Sequence, residues 1–368
     1  MQASYEVVVI GGGIIGSAIA YHLAKDQVEV ALLEENRIGL KATSAAAGML
    51  GAHSEFDDAG NSLFSFARYS QSLYSKLKDD LHELSGMDIG YKKGGILKLA
   101  FSERDLKDLA PILEQPTVTW LDAKEVIHLE RDVAPNIIGA AYIEEDINVL
   151  PFHVCKAFAK SAQVYGASIY EDTKVLQMQK QQGTFRIDTS KGLIHAKRVV
   201  IATGAWSNHF FLQLGIDHQM IPVKGECIAV ECNSTLLKHT IFHDKYYIVP
   251  RNSGELVIGA TMKENDWSEQ VSLDGMETLI QKAKNLLPKI GQMKMTAAWS
   301  GLRPQTSDQR PFIGLHPQDD AILFATGHYR NGVLLAPATG EMIANIILQK
   351  DVKKEWVEAF QLNSPYRR

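Results

Sequence analysis

Cysteine is scarce in this sequence, and neither sign of charge is in large excess. The 368 residues include three cysteines, Cys155, Cys227 and Cys232. Such an odd, low number argues against a disulfide framework and fits a reducing compartment. Lysine and arginine total 38 against 43 aspartate and glutamate residues, which leaves a net charge of -5. Without a basic excess, we do not expect nucleic acid to be the main partner.

Long apolar runs are also missing. No uninterrupted apolar stretch is long enough for a transmembrane helix, so no membrane association is expected. The apolar segment near the N-terminus carries Glu6 and is broken by three consecutive glycines, which is unlike a secretory signal. A content of 45% hydrophobic and 22% charged residues is ordinary for a soluble globular protein. We therefore expect a cytoplasmic protein of two or three domains.

The clearest local signal is a glycine-rich turn near the start of the chain. The apolar residues 7–10 run directly into the pattern Gly11-x-Gly13-x-x-Gly16, and residues 14–24 have the composition of a helix. This order predicts a buried parallel strand, a tight turn and a helix whose N-terminus faces a pyrophosphate.

An acidic residue stands where a ribose would be bound. The second apolar run, residues 30–33, ends in Glu34, eighteen positions after Gly16. In dinucleotide-binding folds a carboxylate at about this distance binds the ribose 2′-hydroxyl. The sequence therefore indicates FAD or NAD in preference to NADP.

Later segments also end in small residues. Residues 41–51 are small and almost uncharged, which suits either close packing on a flat ligand or a tight turn. The strand predicted at 199–201 runs into a small-residue turn at 202–204, and the strand predicted at 322–326 ends at a glycine. A long helix is predicted at residues 333–348.

A β-rich middle region predicts a second domain. Alternating and apolar runs predict strands in two groups of residues, 96–100, 118–121 and 140–143 in the first group and 226–231, 246–249, 256–258 and 293–299 in the second. We expect both groups to join in one sheet, and residues 301–314 to form a loop that leads into a strand.

These motifs together resemble those of the FAD-dependent amino-acid and amine oxidases related to D-amino-acid oxidase and sarcosine oxidase. The resemblance covers nearly the whole chain and lies in the N-terminal fingerprint with Glu34 and in residues 43–49, 202–204, 303–314 and 327–332. Three further segments resemble the bacterial members that oxidise glycine for thiamine biosynthesis, namely residues 44–53, 222–227 and 247–251.

The resemblance implies an α/β fold. A Rossmann-like FAD-binding domain of the GR2 type would carry a second, α+β substrate domain built on an antiparallel sheet. The FAD-binding domain would be formed by residues 1–85, 145–218 and 301–368, and the substrate-binding domain by residues 86–144 and 219–300. The resemblance also implies a homotetramer.

The activity implied is oxidative deamination of glycine, and also of sarcosine and small D-amino acids. Hydride transfer to flavin N5 would give glyoxylate or another 2-oxo acid, ammonia or an amine, and hydrogen peroxide, with oxygen as acceptor. The glycine imine would supply thiazole synthesis. Because the flavin carries the chemistry, no catalytic acid or base is expected.

The resemblance also implies a set of site residues. Arg303 and Tyr247 would hold the substrate carboxylate. Tyr246 is the nearest competitor of Tyr247, because adjacent strand residues face opposite ways. The other substrate positions are Arg330, Gly51, Met262 and Met49. The positions implied for FAD are Gly11, Gly13, Ile14, Ile15, Gly16, Glu34, Thr43, Ser44, Ala47, Gly48, Met49, Val175, Thr203, Gly204, His328, Arg330, Asn331, Gly332, Val333 and Leu334.

Two features limit the chemistry expected. A cysteine tethers FAD in sarcosine oxidase, whereas Leu302 and Arg303 occupy that neighbourhood here, so FAD is expected to be non-covalent. His328 is expected to be structural. No metal is expected, since Cys227 and Cys232 lack zinc-like partners nearby.

These motifs are also compatible with other activities. Sarcosine oxidase and D-amino-acid oxidase or dehydrogenase are close alternatives, because one methylene is worth only about 1–3 kcal/mol of discrimination. An oxidase of aminomethyl groups in tRNA is disfavoured by the lack of a basic domain. A non-catalytic nucleotide-binding protein is disfavoured by Arg303 and by the flavin loops.

Overall fold

The structure is a computed structural model that describes residues 3–55, 61–232, 236–364 and 367. In this part of the chain the α-helices are α1 (Ile14–Lys25), α2 (Ala42–Ala45), α3 (Ser62–Ser85), α4 (Glu103–Leu113), α5 (Ala123–Leu129), α6 (Pro151–Val164), α7 (Asn208–Gln213), α8 (Leu273–Leu286), α9 (Gly332–Ile347) and α10 (Lys354–Phe360). Short 3-10 helices occupy Gly204–Ser207 and Pro288–Gln292.

The first half of the described chain contains the strands β1 (Ala3–Ile10), β2 (Val30–Leu33), β3 (Met49–Leu50), β4 (Lys92–Lys93), β5 (Ile96–Ala100), β6 (Val118–Asp122), β7 (Gly139–Ile143), β8 (Ile147–Asn148), β9 (Ser168–Tyr170) and β10 (Val175–Gln181). The second half contains β11 (Thr184–Thr189), β12 (Gly192–Ile201), β13 (Ile221–Glu231), β14 (Thr240–His243), β15 (Tyr246–Pro250), β16 (Glu255–Gly259), β17 (Lys263–Glu264), β18 (Met295–Gln305), β19 (Phe312–His316) and β20 (Asp319–Thr326).

The first sheet has a parallel centre. Neighbouring strands there run β9–β2–β1–β12–β20, with Val9 paired to Leu32 on one side and to Val200 on the other. The long strand β12 also pairs with β11 along its first half, and β10 and β19 complete the eight strands found among the described residues. The strand–helix–strand unit predicted from the glycine-rich turn is confirmed.

The parallel strands bring four loops to one edge of this sheet. β1, β2, β12 and β20 end at Ile10, Leu33, Ile201 and Thr326, and their carboxyl ends lie side by side. Open α/β sheets bind ligands outside this edge. Residues far apart in sequence therefore meet where a dinucleotide is expected.

Helices α1, α3, α6 and α9 cover one face of this sheet. Their apolar sides form one core with the strands, in which Leu32, Phe66 and Phe158 are fully buried. The helices predicted at 14–24 and 333–348 are confirmed within one residue at each end. In the part of the chain that the structure describes, none of the helices combines the length and the apolar character needed to cross a membrane.

The second sheet joins both groups of predicted strands, as expected. Its order is β17–β13–β16–β15–β14–β5–β7–β6, with β18 on the other side of β13, which makes nine strands in the described chain. All its pairs are antiparallel except β5–β14. Helix α8 packs on one face, and the opposite face carries Phe242, Tyr247 and Val249 towards the first sheet. The α/β fold class is thus confirmed, with one parallel pair in the sheet expected to be antiparallel.

One predicted loop is a strand. Residues 301–305 were expected to be irregular, but they continue β18 and pair with β13 from Gly225 to Ile221. Glycine and proline gave this segment no local strand signal, and the pairing with β13 stabilises it instead. The domain boundary expected at residue 301 therefore falls inside a strand of the second sheet.

Helix α9 contains a proline whose effect is compensated by α3. Pro337 has no N–H, so it leaves the carbonyl of Val333 without its helical partner. The hydroxyl of Tyr74 donates to this carbonyl at 2.5 Å, and the hydroxyl of Ser70 accepts from the N–H of Ala338 at 3.1 Å. Ser70 and Tyr74 lie one turn apart on α3, and they hold the start of α9 in place.

We predict that Tyr74→Phe lowers the free energy of unfolding by about 1–3 kcal/mol, because it leaves a buried carbonyl unpaired. Adding Pro337→Ala should recover part of this loss, since the new N–H can donate to Val333. Urea unfolding of the wild type, both single variants and the double variant measures the coupling. Strictly additive effects would contradict the proposed compensation.

Candidate active site

A long cleft follows the carboxyl edge of the first sheet and ends beneath the second sheet. It consists of two adjoining cavities of about 580 and 170 Å³. Both are lined by Gly13, Ala42, Thr43, Ala202 and Gly204, so they form one continuous channel. The cleft thus runs from the edge of the first sheet to the second sheet.

The glycine-rich turn forms the middle of this cleft. Gly11 has φ +108, and a Cβ there would lie 2.5 Å from the carbonyl oxygen of Ala202. A Cβ at Gly16 would collide with the carbonyl of Gly11, so α1 can approach β1 only with glycine at this position. Gly13 instead lines the cleft, where the missing side chain leaves room for a ligand.

Glu34 lies at the larger end of the cleft. Its carboxylate accepts the N–H of Gly12 at 2.7 Å and the N–H of Asn36 at 2.8 Å. Val175 and Thr203 line the same end. Glu34 is thereby held beside the glycine-rich turn, at the position that a ribose-binding carboxylate requires.

The small-residue segment 42–49 forms one wall. Thr43 Oγ1 accepts the N–H of Ile14 at 3.0 Å, which joins this wall to the start of α1. Arg251, on the second sheet, donates to the carbonyls of Ala47 at 2.5 Å and Val149 at 2.9 Å. Burial lowers the pKa of Arg251 to about 10, which still leaves it charged at neutral pH. Arg251 ends the motif at residues 247–251, but the sequence indicated no role for it.

The structure separates the two candidate tyrosines. Tyr247 faces the cleft, and its hydroxyl lies 3.7 Å from Cys227 Sγ. Tyr246 points to the opposite face of β15 and packs in the core beneath α8. Gly259 leaves room for the Tyr247 ring, since a Cβ there would lie 2.5 Å from it. Burial raises the pKa of Tyr247, so its hydroxyl is protonated and can donate a hydrogen bond.

Arg303 projects from β18 into the same end of the cleft. Its guanidinium lies against Gly225, where a Cβ would overlap it, and Nη1 donates to the carbonyl of Thr261 at 3.2 Å. Across residues 3–55, 61–232, 236–364 and 367, no Asp or Glu forms an ion pair with it. A charged fork-shaped donor therefore faces the cavity that also contains the Tyr247 hydroxyl.

A second arginine lines this end but is already paired. Arg330 Nη2 lies 3.0 Å from Glu55 Oε1, and this neighbouring carboxylate raises the arginine pKa. The preceding residue, Tyr329, has φ +48, and its N–H donates to the carbonyl of Pro304 at 2.9 Å. Lys245 also lines the cavity. Sequence reasoning missed Glu55 and Lys245, because neither lies in a motif.

Most of the predicted site residues line the cleft, but four do not. The residues that line it are Gly11, Gly13, Ile14, Ile15, Glu34, Thr43, Ala47, Gly48, Met49, Val175, Thr203, Gly204, Tyr247, Met262, Arg303, His328, Arg330, Asn331, Gly332 and Val333. Gly16 supports the turn from below, and Ser44 donates to the carbonyl of Lys41 at 3.0 Å. Gly51 lies against Ser54, and Leu334 is buried in the helical core.

His328 is neutral. It is 4% exposed, and its Nε2 lies 3.0 Å from Thr339 Oγ1. Burial lowers the pKa of His328 to about 3. A histidine that stays uncharged and bonded to a helix at neutral pH suits the structural role expected of it. Among the described residues, no three His, Cys, Asp or Glu side chains cluster as a metal site.

Known proteins resemble this chain over its whole length. Residues 6–346 match the family of FAD dependent oxidoreductases. The chain is 51% identical over 361 residues to a glycine oxidase of Bacillus licheniformis, with 98% of each protein covered. It is 32% identical over 365 residues to a bifunctional ThiO/ThiG protein of Synechocystis sp., covering 96% of this chain and 53% of that protein.

A solved structure is also similar. The crystal structure of glycine oxidase from Geobacillus kaustophilus matches with a TM-score of 0.94 and 38% sequence identity, and the match covers 98% of this chain and 99% of that one. Fold and sequence therefore point to the same family.

We predict that His328 makes the protein less stable in acid. The unfolded chain binds a proton on this histidine below about pH 6.5, whereas the folded chain does so only near pH 3. Stability should therefore fall as the pH decreases through this window. Urea unfolding at about pH 7.5 and about pH 5 should show that His328→Gln loses about 2 kcal/mol less than the wild type. Parallel losses in both proteins would contradict the low pKa.

Proposed function

Because this chain belongs to the family of FAD-dependent oxidoreductases, we propose that it oxidises glycine with molecular oxygen. Glycine, oxygen and water would yield glyoxylate, ammonia and hydrogen peroxide. One observation carries the choice of an amino acid as substrate: Arg303 and Tyr247 line the same end of the cleft, beneath the second sheet.

The cleft fits FAD. Gly13 and Gly204 line its middle, where side chains would fill the channel, and Glu34 stands at the end expected for a ribose. The first turn of α9 lines the opposite end, where its N-terminus favours negative charge. When bound, FAD would accept a hydride from the substrate Cα and be reoxidised by oxygen.

The chain's own residues would bind and orient the substrate. Arg303 can hold a carboxylate with two parallel hydrogen bonds, and the protonated Tyr247 can donate a third. Gripping the carboxylate fixes the position of Cα within the cavity. Substrate is best bound with its amine deprotonated, because the lone pair then assists hydride departure.

Side chains around this end favour small substrates. Tyr247, Met49 and Met262 line a cavity of about 170 Å³. We propose that glycine, sarcosine and small D-amino acids are accepted, with Arg330 and Met49 near the flavin. Gly51 does not line this cavity, but its carbonyl accepts the N–H of Glu55 at 3.0 Å.

Several further properties are proposed on the family resemblance. FAD would be bound non-covalently, and the protein would be a cytoplasmic homotetramer that supplies glycine imine for thiamine biosynthesis. Similarity to a ThiO/ThiG protein supports the thiamine role. A molar mass of four times that of the chain, measured by light scattering, would support the tetramer. The molar mass of a monomer or a dimer would contradict it.

We also propose that the domains follow the two large sheets, while a small sheet of β3, β8 and β4 joins them. Residues 1–85, 145–218 and 306–368 would form the FAD-binding domain, and residues 86–144 and 219–305 the substrate-binding domain. Pairing of β18 with β13 supports moving the boundary from 301 to 306.

The purified protein should be yellow, and acid precipitation should release free FAD. It should form peroxide in air with glycine, sarcosine and D-alanine, and glycine should bleach the flavin absorbance without oxygen. A colourless protein that FAD cannot reconstitute would refute the cofactor assignment. A yellow protein inert towards all three substrates would refute only the proposed activity.

Replacing Arg303 should weaken substrate binding. Charge-assisted hydrogen bonds contribute about 1.5–3 kcal/mol each, so Arg303→Lys should raise the KM for glycine roughly 10- to 100-fold, and Arg303→Met more. Steady-state peroxide assays measure this change. Arg186→Lys is the control and should leave KM unaltered, because the Arg186 side chain on β11 is exposed and pairs with Asp188. An unchanged KM in both Arg303 variants would exclude this role.

A further inference from the structure

The motif Pro222-Val223-Lys224-Gly225-Glu226 has no place in the chemistry above. Gly225 faces the cleft, so its neighbours Lys224 and Glu226 point to the other face of β13. They are 5% and 4% exposed, respectively. Burying two opposite charges is expensive unless further hydrogen bonds satisfy them, and a buried pair adds little net stability. The pair therefore calls for another explanation.

Lys224 and Glu226 are the centre of a closed polar network. Lys224 Nζ lies 3.3 Å from Glu226 Oε1 and 3.3 Å from Ser268 Oγ, with Asp266 at 3.8 Å. Glu226 Oε1 also accepts the N–H of Ser272 at 2.7 Å. Burial raises the pKa of Glu226, but the hydrogen bonds from Ser272 and the Lys224 ammonium outweigh this effect and leave the pKa below its usual value.

The other oxygen of Glu226 reaches Thr261. The hydroxyl of Thr261 donates to Glu226 Oε2 at 3.2 Å and accepts the N–H of Glu226 at 2.9 Å. Two bonds to one residue define both the position and the orientation of Thr261. Its backbone is held as well, because the N–H of Thr261 donates to the carbonyl of Glu226 at 3.3 Å.

Thr261 in turn contacts the substrate arginine. Its carbonyl accepts Nη1 of Arg303 at 3.2 Å, while the guanidinium rests on the bare backbone of Gly225. Gly225 lies between the two charged residues of the network in sequence. The same stretch of β13 therefore supports the guanidinium from below and holds the carbonyl that orients it.

We propose that Glu226, supported by Lys224, is a positioning residue that acts through Thr261 to hold Arg303 in the orientation that binds the substrate carboxylate. The inference rests on the proposed function, in which Arg303 binds this carboxylate. It assigns to Glu226 and Thr261 an effect on substrate affinity, with little effect on the oxidation step.

Glu226→Gln and Thr261→Val test this proposal. Glu226→Gln keeps the shape and one acceptor but removes the charge that Lys224 needs, and Thr261→Val removes only the hydroxyl. Thr261→Ser restores the hydroxyl and serves as the rescue. The matched control is Glu130→Gln, another buried glutamate of the second sheet region, which holds residues 238 and 239 far from the cleft.

Purified FAD-loaded variants should be compared by glycine oxidation and by acetate titration of the flavin absorbance. Acetate has the substrate carboxylate but no amine, so it reports binding alone. We expect Glu226→Gln and Thr261→Val to raise the KM for glycine and the Kd for acetate about tenfold together, which corresponds to about 1.4 kcal/mol, with kcat within about twofold. Thr261→Ser should return both constants to near the wild-type values. Glu130→Gln should lose thermal stability without changing either constant.

Unchanged constants in folded Glu226→Gln and Thr261→Val would overturn the inference, as would a fall in kcat at constant KM. If only one of these variants folds, its constants decide the matter. If neither folds, Thr261→Ala decides it in comparison with Thr261→Ser. An alanine variant whose KM and Kd equal those of the serine variant and the wild type would overturn the inference. Failure of the wild type to oxidise glycine would instead refute the proposed function, and an unchanged KM in both Arg303 variants would refute the carboxylate-binding role of Arg303 on which the inference rests.

Discussion

Close approach of two backbones at the first glycine-rich turn is the constraint on which the cleft depends. The position of α1 requires that Gly16 has no Cβ, because the carbonyl of Gly11 occupies that space. With α1 seated in this way, Gly12 can donate to Glu34, and Ile14 can donate to Thr43. These two hydrogen bonds connect the turn to the second strand and to the small-residue wall. The shape of the channel follows from contacts that any larger side chain would prevent.

The second sheet completes the cleft by presenting two different faces. Tyr247 and Cys227 face the channel, whereas Tyr246 packs beneath α8. The sheet is also attached to the small-residue wall, since Arg251 donates to the carbonyl of Ala47 and Trp299 Nε1 donates to that of Ala45 at 3.1 Å. The small-residue wall and the face of the second sheet that carries Tyr247 are therefore connected directly. These hydrogen bonds determine where a ligand on one surface lies relative to the other surface.

Local signals in the sequence predicted the elements well where periodicity or turn chemistry is strong. The strand before Gly11, helix α1 and helix α9 are of this kind. Local signals did not predict the strand segments 221–225 and 301–305, which pair with each other. Both contain proline, glycine and charged residues, which are uncommon in strands. Of the candidate site, most family positions line the cleft, but Gly16, Ser44, Gly51 and Leu334 do not. Glu55 and Lys245 lie in no motif, and the motif that contains Arg251 indicates no role for it.

The sequence by itself determined the dinucleotide fold, because a strand, a glycine turn, a helix and an acidic residue interact over short distances along the chain. Its resemblance to a known family also implied that Arg303 and Tyr247 bind a carboxylate, which stays a prediction. Only the tertiary structure decided how these groups are used. Arg330 forms an ion pair with Glu55, 275 positions away in the sequence. Arg303 instead donates to the carbonyl of Thr261 and faces the cavity. The ion pair of one arginine and the orientation of the other depend on residues that strand pairing and packing bring together. Because these residues are far apart in the sequence, no local pattern predicts them.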